Sequence, residues 1–75
     1  GKEVDFVLER GGDLVGIEVK SGAAVRARDT ESLRHCRHAL GKRWKLGLVL
    51  YMGDEAVPID DATLAIPMDT FFAGS

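Results

Sequence analysis

The chain has 75 residues and a formal net charge of −2, which makes it one small domain with only a modest core. Its single cysteine, Cys36, excludes an internal disulfide and fits a reducing, cytoplasmic setting. No apolar run approaches the roughly 20 residues of a membrane span, and no secretory signal opens the chain. With no staple to support so small a core, the chain is expected to be a fragment of a larger protein, a homodimer, or both.

Charge is unevenly placed. Residues 1–25 and 46–75 are acidic. Between them, Arg26, Arg28, Arg34, Arg37, Lys42, Arg43 and Lys45 face only Asp29 and Glu31. A basic middle of this kind is either a solvated helix face or a surface that attracts phosphate.

In chain order, Val4–Glu9 alternates apolar and polar residues and predicts a strand. Gly11-Gly12 predicts a two-residue hairpin turn. Leu14–Lys20 is the return strand, with Val15, Ile17 and Val19 on its apolar side. A helix is expected from about Asp29, as N-cap, to Leu40, with Gly41 ending it. Leu33, Cys36 and Leu40, with Ala39 beside them, give it one apolar face.

Trp44–Met52 reads as a long central strand covered on both sides. Val57-Pro58-Ile59 can only be an edge segment. Thr63–Met68 is a short strand, and Met68–Phe72 begins a terminal helix capped by Asp69. The predicted class is α/β: a mixed sheet made of a hairpin, a crossover helix, a long central strand and a short edge strand. One face lies under the helix; little in the chain is left to cover the other. Trp44 and Tyr51 are assigned to the core, and Phe71 and Phe72 to the core or to a contact between copies.

The hairpin register has a chemical consequence. With Gly11 and Gly12 in the turn, Phe6 faces Ile17 and Leu8 faces Val15, so Val4, Phe6, Leu8, Val15, Ile17 and Val19 share one side. Asp5 then faces Glu18, with Cβ atoms roughly 4.5–5.5 Å apart, and Glu3 faces Lys20. Like charges so placed repel unless a cation lies between them, and Mg²⁺ suits one or two carboxylates completed by water and phosphate oxygens. A lysine beside such a metal can position a water or stabilise charge on a phosphate. The competing reading is a solvent face with an ordinary Glu3–Lys20 ion pair. Gly16, on the polar side, is expected to leave room for a close approach to the backbone.

These residues resemble the PD-(D/E)xK nuclease superfamily, the restriction-endonuclease-like fold. Asp5 matches its first acid, and Glu18-Val19-Lys20 match its E-x-K; Val4 stands where the family's name has proline. The resemblance implies Mg²⁺ or Mn²⁺ as cofactor, Asp5 and Glu18 as metal ligands, Lys20 as catalytic lysine and Glu3 as an accessory acid. It makes residues 1–75 a partial fold, whose first helix and strand would precede Gly1. In the superfamily the crossover helix borders the substrate groove, so Arg26, Arg28, Arg34 and Arg37 are expected to contact nucleic acid.

More of the chain, "GKEVDFVLE…GIEVKSG…GLVLYMGD", resembles an uncharacterised C-terminal domain that follows an AAA-type ATPase domain in bacterial and archaeal proteins. That implies an ATPase domain in the same parent chain as partner. Two functional readings follow: metal-dependent phosphodiester hydrolysis of DNA or RNA, or a catalytically inactive nuclease fold used for binding protein or nucleic acid or for dimerisation. His35 and His38, three apart on the helix, have no third ligand nearby and are read as exposed residues.

Overall fold

The computed structural model describes residues 4–73. They form β1 (Phe6–Arg10), β2 (Asp13–Val19), α1 (Glu31–Leu40), β3 (Trp44–Tyr51), β4 (Val57–Asp60), β5 (Thr63–Pro67) and α2 (Met68–Ala73). The five strands make one mixed sheet in the order β1-β2-β3-β5-β4. The two outer pairs are antiparallel, while β2 and β5 flank β3 in parallel.

The hairpin has the expected register, with Phe6 opposite Ile17, Leu8 opposite Val15 and Arg10 opposite Asp13. Gly11 and Gly12 turn it at φ of 61° and 92°, a left-handed backbone open to glycine. β3 is the central strand and is buried on both sides towards its C-terminal end. The edge segment at Val57 is a full strand, β4, which pairs outside β5. At that edge the missing N–H of Pro58 interrupts no continuous ladder.

The sheet faces are unequal. On one side α1 lays Leu33 over Leu14, Trp44, Val49, Tyr51 and Ala65, with Cys36 and Leu40 packed alongside. The helix comes close because β2 and β3 both carry glycine beneath it. A Cβ on Gly16 would overlap the indole of Trp44 and lie 3.1 Å from Leu33 Cδ2. Gly16 therefore makes room for Trp44, correcting the expectation that it admits a ligand to the backbone. On the other side Ile17, Leu48 and Leu50 form a second cluster with Val15, Leu46, Leu64, Ile66 and Met68. Phe6, Leu8 and Val19 continue that face but are 58, 56 and 43 % exposed. Phe71 and Phe72 stack edge to face at 5.2 Å and remain exposed, so they do not close a core.

Two local departures matter for the site. The first strand begins at Phe6 rather than Val4; Val4 packs against the cluster under α1 instead of beside Phe6 and Leu8. The expected helix opens as a 3-10 turn, Ala27–Thr30, and becomes α-helical only at Glu31. Asp29 lies inside that turn, and Thr30 takes the N-cap place of α1.

Candidate metal centre at the open end of the hairpin

Alternation along β2 puts Leu14, Gly16 and Glu18 on the α1 side of the sheet. Glu18 is the last of these and is half-buried where the cover of α1 thins. In the antiparallel ladder, Phe6/Ile17 and Leu8/Val15 exchange both hydrogen bonds, so the next acceptor for Val19 N–H would be the Val4 carbonyl. The Asp5 carboxylate takes its place: Val19 N–H donates to Asp5 Oδ2 at 2.7 Å. A side chain thus substitutes for the strand, which frees Val4 to turn over and fixes the Asp5 carboxylate at the backbone between Glu18 and Lys20. Asp5 and Glu18 are brought together, through a capped ladder end rather than as a regular cross-strand pair.

Their proximity has an electrostatic signature. Burial pushes the Glu18 carboxyl above its ordinary pKa, and the negative charges of Asp5 and Asp29 push it further, with Lys20 opposing them.

Lys20 is engaged elsewhere. Its N–H continues the sheet by donating to the Leu50 carbonyl at 2.8 Å. Its Nζ lies 3.3 Å from Asp29 Oδ2. The same oxygen accepts the Arg26 N–H at 2.7 Å. That backbone bond, with Lys20 and Arg28 adding to it, holds the Asp29 carboxyl below its ordinary pKa, so it stays ionised. Asp29 is thus a fourth member of the site. As a helix cap it gave no sign of this. Only the return of the folded chain brings it to Lys20.

Of the other expected residues, Glu3 lies outside the described residues. Arg26, at the N-cap of the 3-10 turn, and Arg28, within it, are exposed, and Arg34 is exposed on α1. Arg37 is committed: it makes two hydrogen bonds to Asp61, at 2.8 and 3.2 Å. The four arginines therefore do not form one free basic face. His35 and His38 are exposed, as expected.

Among the described residues no three His, Cys, Asp or Glu side chains are grouped to hold a metal ion. A two-carboxylate site does fit Mg²⁺ or Mn²⁺, because such ions keep several waters and take further oxygens from a phosphate. Asp5 Oδ1 and the Glu18 carboxylate are the oxygens on offer.

No helix among the described residues is long and apolar enough to cross a membrane. No curated protein and no solved structure matches the chain. Residues 1–71 match the family described as Domain of unknown function (DUF4143), and the chain belongs to that family.

Proposed function

We propose that this domain is a restriction-endonuclease-like module of the PD-(D/E)xK type that hydrolyses phosphodiester bonds in DNA or RNA with Mg²⁺ or Mn²⁺. The observation that carries the reading is the hydrogen bond from Val19 N–H to Asp5, which docks the first acid onto the E-x-K segment. Asp5 and Glu18 hold the metal, which supplies Lewis acidity and an activated water when bound. Lys20 assists at the phosphate, and Asp29 holds the lysine until substrate competes for it. The setting is cytoplasmic, and the partners are nucleic acid and an ATPase domain in the parent chain.

With Mg²⁺ or Mn²⁺ the protein is expected to nick single- or double-stranded nucleic acid. Asp5→Asn and Lys20→Ala should each lower the rate by roughly 10²-fold or more. Equal cleavage by the variants and the wild type would end this reading.

One observation favours a second reading, a catalytically inactive nuclease fold that binds nucleic acid. The Lys20 ammonium already has a carboxylate partner in Asp29. This reading predicts binding without cleavage, unaffected by Glu18→Gln.

A further inference from the structure

We propose that the groove between the C-terminal half of α1 and the start of β3 is a phosphate-binding site, separate from the acid cluster. The groove has a volume of about 750 Å³ and is lined by Arg34, Arg37, His38, Lys42, Trp44 and Asp61, with Gly41 between the walls. Arg34 and His38 are spaced i and i+4 on one ridge of α1, and Lys42 follows in the 3-10 turn Gly41–Arg43. All three are exposed.

Their charges are largely uncommitted. Among the described residues Arg34 makes only a long hydrogen bond, 3.4 Å, to the Ala27 carbonyl. Neither His38 nor Lys42 forms an ion pair among the described residues. Arg37, by contrast, is held by Asp61, with Asp60 4.0 Å away. A helix C-terminus favours nearby cations, and that accounts for Arg37 and His38 in the last turn. It does not account for Arg34, more than a turn earlier.

Trp44 selects the ligand chemistry. It is 6 % exposed, with its ring tucked over Gly16, so it offers no free face for a base to stack on. Its Nε1–H is buried and has no acceptor among the described residues. With Trp44 offering the groove neither a reachable donor nor a stacking face, the groups left to meet a ligand are the Arg34, His38 and Lys42 side chains, and these take an oxyanion, not a base. The ligand is a phosphate, either free or in the backbone of a nucleic acid. His38 lies nine residues beyond Asp29, roughly 14 Å along the helix, while Arg34 reaches back to the Ala27 carbonyl. The groove does not depend on the acids binding a metal.

The test uses the only tryptophan in the chain. In EDTA at low salt, inorganic phosphate and a mixed-sequence single-stranded oligonucleotide are titrated separately. Trp44 emission and its indole N–H cross-peak report occupancy. A saturable response is expected to both. An oligonucleotide response at roughly tenfold or more lower concentration assigns the site to backbone phosphate, and a response to inorganic phosphate alone assigns it to the free ion.

Arg34→Ala with Lys42→Ala should weaken binding by roughly tenfold or more at unchanged melting temperature. Asp61→Asn, which frees Arg37, should tighten it. No saturable response up to roughly 10 mM phosphate or oligonucleotide nucleotides, or equal binding by wild type and both variants, would overturn the proposal. Because the assay is metal-free, its failure leaves the nuclease reading untouched, and the reverse also holds.

Discussion

The two faces of this sheet are built from the same alternating strands but end in different states. Under α1, Leu33 and Val49 are fully buried and two glycines bring the helix against the sheet. On the opposite face the described cover is α2, through Met68 and Phe71, and Phe6 and Leu8 stand more than half exposed. Glu18 and Lys20 lie where the layer under α1 opens, so burial there is partial: enough to raise the Glu18 pKa and not enough to exclude water. The candidate site lies at the margin of the well-packed layer, and a margin supplies both a rigid scaffold and access.

The largest expected contrast is between matched truncations. Leu33→Ala should cost about 2–5 kcal/mol. Leu8→Ala, on a residue already 56 % exposed, should cost under about 1 kcal/mol by the same chemical denaturation. Similar losses at the two positions would mean that the open face is covered in solution. Gly16→Ala comes next, at about 1–3 kcal/mol, because the new methyl group must displace Trp44 and Leu33. A neutral result would place the indole elsewhere.

A smaller effect separates stability from function. Glu18 has a raised pKa in the folded state, so the unfolded chain ionises first as pH rises. Stability then falls through the window from the ordinary value of 4.5 up to the raised folded value. Glu18→Gln should therefore raise the melting temperature of the metal-free protein at neutral pH, with the gain vanishing in acid. A gain that persists below both pKa values would assign the effect to packing instead.

The smallest effect concerns Asp61, whose pKa Arg37 depresses. Its contribution is present above the ordinary value of 3.8 and is lost as pH falls through the lower folded value. Arg37→Ala should therefore cost a little stability at neutral pH, with the cost vanishing in acid. A large loss at neutral pH would show that the exposed pair supports the fold.

The sequence was most informative where one periodicity and one turn agreed. Gly11-Gly12 and the shared side of Phe6, Leu8, Val15 and Ile17 fix the hairpin register because a one-residue slip would expose every apolar group. The central place of β3 was legible from apolar residues on both of its sides. What was not legible involves side chains that replace the backbone or fill space. Alternation assigns Val4 to a strand, but cannot show that the Asp5 carboxylate would take the ladder's acceptor role and release it. Gly16 looks alike in sequence whether a ligand or an indole fills the space above it. Asp29 has the residue type and position of a helix cap, and only the three-dimensional return of the chain reveals its ion pair with Lys20.

The central claim is that Asp5 and Glu18 act as one cation site at the open end of the hairpin. A Mn²⁺ titration followed by amide NMR tests it most directly. Saturable broadening centred on Asp5, Glu18 and Val19, reversed by EDTA and lost in Asp5→Asn, is the predicted result. Broadening centred elsewhere, or unchanged by Asp5→Asn, would contradict it.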